Sequence, residues 1–157
     1  MPNLVGKIKV YKILNVPCLI KAKLRLNLYL NFLKKKKIKF DLAYVSSAKR
    51  TMQTYKKLIK KIKISKAIFS KKLYLTDLNV IINFIKETKL KYKNIILINH
   101  EPACKELVTK LIKKKYIKFK KKPFETSGVA KISFKKNKWK QIQYYSGNLV
   151  FFKIPSN

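Results

Sequence analysis

Histidine, arginine and acidic residues are scarce in this sequence of 157 residues. It has one histidine, His100, and six aspartates and glutamates, and only Arg25 and Arg50 among its 40 basic residues are arginines. A catalytic pair of histidines is therefore excluded within this sequence. Because lysine fills almost every other basic position, the arginine at position 50 and the single histidine are the informative exceptions.

Cysteines and long apolar runs are equally rare. Cys18 and Cys104 are too few for a disulfide scaffold or a zinc site. No apolar run approaches the roughly 18 residues of a membrane-spanning helix, and Met1–Val10 lacks the apolar segment of a signal peptide. With 47% hydrophobic residues, the chain is too apolar for a disordered basic tail. We therefore expect a single domain over residues 1–157 that is cytoplasmic and does not contact membranes.

Lysine gives the chain a formal net charge of +34. Clustered lysines neutralise phosphates, so a basic nucleic-acid-binding protein is one hypothesis. Against it, the lysines are spread along the whole chain, and arginine, the usual reader of base edges and phosphates, is nearly absent. The abundance of lysine, asparagine, isoleucine, phenylalanine and tyrosine is typical of an AT-rich genome. We expect weak, nonspecific binding of polyanions at low salt as a by-product of the charge.

The apolar pattern alternates between helix and strand periods along the chain. The predicted helices cover residues 20–36, 48–62, 76–89 with Thr76 as the cap, and 102–113 with Pro102 in the first turn. The predicted strands cover residues 41–46, 94–99, 129–134, 139–145 and 149–154, with an extended piece at 67–75. The apolar run 94–99 is typical of a central parallel strand covered on both faces. The pattern predicts a three-layer α/β/α fold whose sheet is mostly parallel with an antiparallel edge.

Two polar segments directly follow predicted strands. One runs from Ser46 to Arg50, and the other runs from Asn99 through His100 to Pro102. Ligands of open α/β sheets lie at the carboxyl ends of the strands, so Arg50 and His100 are expected to face one crevice. A guanidinium fork, an imidazole and the N–H groups of the following helices predict an anion site, most naturally for phosphate.

These segments resemble motifs of the histidine phosphatase superfamily. "SSAKRTMQT" at 46–54 resembles its Ser-Ser-x-x-Arg-x-x-x-Thr segment, and "IILINHEP" at 95–102 resembles its second-histidine motif. "PFETSGVAKISF" at 123–134 is similar to the tail of the small SixA-type phosphohistidine phosphatases, and the short gap from Arg50 to His100 also favours that type. The resemblance implies a phosphoglycerate mutase-like fold and the removal of a phosphoryl group from a protein histidine.

The resemblance also implies roles for residues. Arg50 would hold the phosphoryl oxygens bidentately, and His100 would donate a hydrogen bond or charge to them, which makes both catalytic candidates. Ser46, Ser47 and Thr126 would join Arg50 in binding the substrate. The implied partner is a phosphohistidine-bearing protein or a small phosphorylated substrate, and the reaction needs no metal or organic cofactor.

One departure from the family pattern is serious. The family's first strand carries Arg-His-Gly, whose histidine attacks phosphorus, and this chain has no such sequence. Family spacing places that histidine near Asn3 or before Met1, so we expect a first strand that is missing or degenerate. Asparagine cannot form the covalent phosphoenzyme. The protein would be an enzyme if a misassigned start hid the strand, and otherwise an inactive relic that binds phosphate.

Several of the polar residues also have purely structural explanations. Ser46 and Ser47 could simply cap the following helix. Glu101 favours the dipole of the helix that it precedes, Asp77 is expected on the surface of a first helical turn, and Cys104 is expected to pack inside a helix. Glu125 is a candidate acid by position, but we do not expect it to donate a proton.

Overall fold

A computed structural model describes residues 7–14, 20–35, 37–74, 76–116, 118 and 128–153. Its six-stranded sheet consists of β1 (Lys7–Leu14), β2 (Leu42–Ser46), β3 (Ala67–Ser70), β4 (Asn94–Asn99), β5 (Val129–Lys135) and β6 (Asn148–Lys153). The strands lie in the order β3-β2-β4-β1-β5-β6. The first four in that order are parallel, and β5 and β6 pair antiparallel with their neighbours. The mostly parallel sheet with an antiparallel edge confirms that part of the predicted fold.

Helices α1 (Ile20–Lys35) and α2 (Lys49–Ile59) pack on one face of the sheet. Leu33 of α1 and Leu58 of α2 are fully buried there against Val45 of β2 and Ile98 of β4. Full burial of one such side chain stabilises the fold by roughly 1.5–3 kcal/mol. This face fixes where α2 begins, and with it the position of Arg50 in the first turn of α2.

Helices α3 (Leu78–Lys86) and α4 (Ala103–Leu111) cover the opposite face. Ile81 and Ile85 of α3 and Leu107 of α4 are buried with Leu97 of β4. The side chains of β4 alternate between the two faces, as a strand covered on both sides requires. The three-layer arrangement is confirmed. Among the described residues, no helix combines the length and apolar character needed to cross a bilayer.

Strand β1 lies between β4 and β5. It pairs in parallel with β4, where Leu14 lies opposite Asn99, and antiparallel with β5. A strand without the Arg-His-Gly sequence is therefore present at this position, and the expectation of a missing or degenerate first strand stays a prediction. No central strand is left unpaired at this position. Asn3 lies outside the described residues.

The predicted strand at 139–145 is wrong. Residues Trp139–Gln141 form a 3-10 helix, and Trp139 is buried. Its indole Nε1–H donates a hydrogen bond to the carbonyl oxygen of Tyr92 at 2.6 Å. The aromatic content of this segment indicated a strand, but the large indole packs as an anchor under α3 and satisfies its polar atom there.

The predicted cap of α3 is also wrong by one residue. Asp77, rather than Thr76, is the N-cap, and its Oδ1 accepts a hydrogen bond from the backbone N–H of Asn79 at 2.7 Å. Both residue types cap helices well, so the sequence alone does not distinguish them. Asp77 is exposed, as expected.

The end of α4 is tied to the turn before β6 through Gly147. The Gly147 N–H donates to the carbonyl oxygen of Leu111 at 2.8 Å, and the Lys113 N–H donates to that of Gly147 at 2.9 Å. A Cβ atom on Gly147 would lie 2.5 Å from Ile132 Cγ2 and 2.9 Å from the Leu111 oxygen. There is no room for a side chain at this position.

We therefore expect Gly147→Ala to lower the free energy of unfolding by about 1–3 kcal/mol, because the added methyl group overpacks the core. Urea denaturation followed by circular dichroism measures the change. Lys140→Ala, at an exposed position nearby, serves as the control and should stay within about 0.5 kcal/mol of the parent. Equal stability of Gly147→Ala and the parent would contradict the prediction.

Candidate functional site

The two polar segments meet at the carboxyl ends of β2 and β4. These strands are parallel neighbours, with Val45 opposite Ile98, so Ser46 and His100 leave the sheet on the same edge. Helix α2 begins three residues after β2 ends and places Arg50 in its first turn. The predicted meeting of Arg50 and His100 is therefore present in the structure.

A chain of hydrogen bonds joins Ser46, His100 and Arg50. The Arg50 Nε–H donates to His100 Nδ1 at 3.0 Å, and His100 Nε2 lies 2.9 Å from Ser46 Oγ. Because a guanidinium group is only a donor, Nδ1 must accept, which assigns the proton of a neutral imidazole to Nε2. Nε2–H then donates to the Ser46 hydroxyl oxygen. Both imidazole nitrogens are thus engaged within the protein.

Burial and the neighbouring cation keep His100 neutral. His100 is only 2% exposed and Ser46 is fully buried, whereas Arg50 is exposed. Burial lowers the pKa of His100, and the positive charge of Arg50 lowers it further, to about 4. Burial is the larger of the two causes. The imidazole is therefore uncharged at neutral pH.

Two threonines hold the turn between β2 and α2. Thr51 Oγ1 lies 2.7 Å from the carbonyl oxygens of both Ser46 and Ala48, and Thr54 Oγ1 donates to that of Arg50 at 3.0 Å. Thr51 and Thr54 are buried, so the backbone on both sides of Arg50 is fixed.

The N-terminus of α2 has no side-chain cap. The cap position is occupied by Ala48, and the Ser46 hydroxyl contacts His100 instead, so the alternative of serine caps is wrong. The N–H groups of an uncapped first turn favour an anion. Ser47, which is half-buried, donates its backbone N–H to the Ser70 carbonyl oxygen at 3.3 Å.

Tyr74 is a site residue that sequence reasoning missed. Its ring lies edge-on to the His100 ring, with centroids 5.4 Å apart and planes at 82°, while 46% of the residue remains exposed. It follows β3, the parallel neighbour of β2, by one short 3-10 helix. The sequence signal that could have identified Tyr74 is its position shortly after a parallel strand, because the carboxyl ends of parallel strands lie at one edge of the sheet.

A cavity of about 320 Å³ opens on the other side of His100, toward α3 and α4. Asn99 and His100 line it together with the residues that begin the two helices, including Asp77, Glu101 and Glu106. We name this cavity the acidic pocket. Across the described part of the chain, no cluster of three or more His, Cys, Asp or Glu residues could hold a metal ion.

The structure describes some of the remaining candidate residues and not others. Thr126 and Glu125 lie outside the described residues. Cys104 is fully buried in α4, as expected of a packing residue. The assignment of Arg50, His100, Ser46 and Ser47 as site residues stays a prediction.

The low pKa of His100 predicts a pH dependence of stability. Between about pH 6.5 and pH 4, the unfolded chain binds a proton at this imidazole and the folded protein does not, so stability falls as the pH is lowered through this window. The slope attributable to His100 is at most about 1.4 kcal/mol per pH unit. Urea titrations at several pH values measure it, and His100→Gln should show a flatter profile. Parallel profiles for the two proteins would contradict the prediction.

Comparisons with known proteins concern the fold. No protein-family model and no curated protein matches the chain. Among solved structures, a protein assigned as phosphohistidine phosphatase SixA from Nakamurella multipartitia is 13% identical, covering 97% of this chain and 98% of its own, with a TM-score of 0.80. The protein histidine phosphatase SixA in complex with tungstate is 18% identical, with coverages of 94% and 97% and a TM-score of 0.77.

A phosphoglycerate mutase from Plasmodium falciparum is more distant. It is 12% identical, with coverages of 81% and 91% and a TM-score of 0.56. The likeness to both kinds of protein extends over most of the chain, although the sequence identity is low. The chain therefore has the fold of the SixA phosphohistidine phosphatases and, more broadly, the phosphoglycerate mutase-like fold of the histidine phosphatase superfamily.

Proposed function

We propose that this protein binds the phosphoryl group of a phosphohistidine on a partner protein, as a phosphatase-like protein without the covalent step. The supporting observation is that His100, the single histidine of the chain, engages Arg50 and Ser46 through its two ring nitrogens at the carboxyl ends of β2 and β4. Each step of the proposal follows from that arrangement.

Arg50 provides the anion-binding element. Its Nε–H is used by His100, which leaves the two terminal NH₂ groups of the fork for phosphoryl oxygens. Arg50 is exposed and lies in the uncapped first turn of α2, whose backbone N–H groups add to the attraction for an anion. Phosphate is the ligand that matches a planar fork beside a helix N-terminus best.

His100 orients Arg50 and responds to the ligand. A bound phosphoryl group offsets the charge of Arg50, so it removes part of the cause that depresses the pKa of His100. The imidazole then accepts a proton more readily at Nδ1. Because Nδ1 accepts from Arg50 in the free protein, this protonation requires release of the Arg50 Nε–H bond, after which Nδ1–H is a donor for phosphoryl oxygens. The site thus couples anion binding to protonation of one buried group.

The covalent step lacks its nucleophile in this chain. β1 ends beside the site, with Leu14 opposite Asn99, and the segment Lys7–Leu14 contains no histidine. His100 is held through both nitrogens and, as a neutral donor at Nε2, presents no free lone pair to phosphorus. A protein of this design recognises a phosphoryl group without forming a phosphoenzyme.

Tungstate binding tests the site. We expect Arg50→Ala to weaken tungstate affinity by about 10- to 100-fold, the value of a lost charge-assisted hydrogen-bonded pair, and Arg50→Lys to fall between it and the parent. Isothermal titration calorimetry at 0.15 M salt measures both. Lys56→Ala removes one exposed charge from the far end of α2 and should change affinity less than twofold. Equal effects of Arg50→Ala and Lys56→Ala would reject the assignment, because the overall charge would then be the cause.

The nuclear magnetic resonance signals of the His100 imidazole provide a second test of anion binding at the site. As the one histidine of the chain, it yields a single set of ring signals in nuclear magnetic resonance spectra. We expect its pKa to rise from about 4 when tungstate is added, and to rise in Arg50→Ala without tungstate. A pKa that does not move with saturating tungstate would place the anion elsewhere.

Turnover is tested with a phosphohistidine-containing peptide followed by ³¹P spectroscopy. We expect the parent protein and His100→Gln to leave the hydrolysis rate of the peptide at its value in buffer, and no phosphoenzyme to accumulate. Rapid hydrolysis that is lost in His100→Gln would overturn the noncovalent part of the proposal and identify His100 as a catalytic group.

A further inference from the structure

The acidic pocket is unusual for this molecule. The chain has six acidic residues against a net charge of +34, and three of the six, Asp77, Glu101 and Glu106, line this one cavity beside His100. All three are exposed, and they belong to the beginnings of two helices that are separate in sequence. The fold therefore concentrates negative charge next to the site in an otherwise basic protein.

Helix capping explains part of this placement. Asp77 caps α3, and Glu101 Oε2 accepts a hydrogen bond from the Lys105 N–H at 3.3 Å. Carboxylates at helix N-termini are favourable for this reason alone. Glu106 lies in the first turn of α4, where a carboxylate is favourable for the same reason, so the helix ends account for the three charges but not for the buried polar group described next.

Asn99 is a buried residue of the pocket lining that has an unused side-chain donor. It is 1% exposed, and its Oδ1 accepts a hydrogen bond from the His100 N–H at 2.9 Å. Its Nδ2 has no hydrogen-bond partner among the described residues, although Asn99 lines the pocket. A buried donor without a partner costs about 1–3 kcal/mol, so this amide group points to a ligand that offers an oxygen acceptor.

The chemistry of the pocket favours an organic cation. In the described part of the chain, the acidic residues do not form a cluster that could hold a metal ion. Carboxylates spread around a cavity of about 320 Å³ suit the ammonium or guanidinium group of a larger molecule. The pocket lies on the α3 and α4 side of His100, whereas Arg50 lies on the α2 side, so opposite charges flank the imidazole.

We propose that the acidic pocket binds a cationic group of the substrate, an alkylammonium or guanidinium, close to the phosphoryl group held by Arg50. Asn99 Nδ2 donates to an oxygen atom between the two charges. This inference rests on the proposed phosphoryl site and adds that its ligands are zwitterionic. A lysine or arginine side chain next to a phosphorylated residue and a small aminoalkyl phosphate share this chemistry.

Matched ligands test the proposal. Calorimetric titrations at 0.15 M salt compare ω-aminoalkyl phosphates of two to six carbons with alkyl phosphates of the same lengths. We expect one or more of the amino compounds to bind roughly two- to fivefold more tightly than its plain partner, as an exposed ion pair allows. The chain length that gives the largest preference reports the spacing between the two subsites.

Variants that lack the carboxylate charges test whether the preference for amino compounds arises in the acidic pocket. Asp77→Asn, Glu101→Gln and Glu106→Gln keep the shape of each side chain, and asparagine caps helices as well as aspartate. We expect the triple variant to bind the amino and plain compounds equally. Glu87→Gln, an exposed carboxylate at the other end of α3, is the control for net charge and should keep the preference.

The outcomes separate the two proposals. If the plain alkyl phosphates bind but no amino compound is preferred, the cation pocket is wrong and the phosphoryl site stands. If neither series binds, the phosphoryl site itself is wrong. A preference that survives in the triple variant also rejects the pocket. A lysine-containing phosphopeptide compared with its norleucine analogue then decides whether a protein or a small molecule supplies the cation.

Discussion

The hydrogen-bonded chain from Ser46 through His100 to Arg50 is the interaction on which the candidate site depends. It links the ends of two strands that are neighbours only because the sheet is parallel at this place. Since arginine can only donate, one bond decides the tautomer of the imidazole and leaves its proton on the side of the serine. Burial then keeps the ring neutral beside a cation. The orientation and the protonation state of the imidazole follow from this one arrangement, and the proposed anion binding depends on it.

The candidate site also differs from the rest of this lysine-rich surface, because its charged groups have fixed positions. Charges on an exposed surface are screened within about 8 Å at physiological salt, so a diffuse excess of lysine attracts polyanions without selecting among them. Selection needs a group whose geometry is fixed. Arg50 is fixed by His100 and by the threonines of its turn, and the carboxylates of the acidic pocket lie at rigid helix ends.

The central part of the site could be predicted from sequence. The apolar runs that became β2 and β4 are uninterrupted, and the polar residues after them stand out, so their meeting followed from the geometry of parallel sheets. Strand β1 was missed because lysines interrupt its apolar pattern in the sequence Lys-Ile-Lys-Val-Tyr-Lys-Ile-Leu. The acidic pocket was missed because the packing of α3 and α4, rather than any local pattern, brings its residues to His100. Tyr74 was missed because a 3-10 helix separates it from the end of β3, so it does not directly follow a strand.

The position of β1 limits how the sheet could change next to the candidate site. β1 is hydrogen-bonded to β4 on one side and to β5 on the other, so the sheet offers no free place there for an additional strand. The carboxyl end of β1 is thus held beside the carboxyl end of β4, where the candidate site begins, by backbone hydrogen bonds along both of its edges.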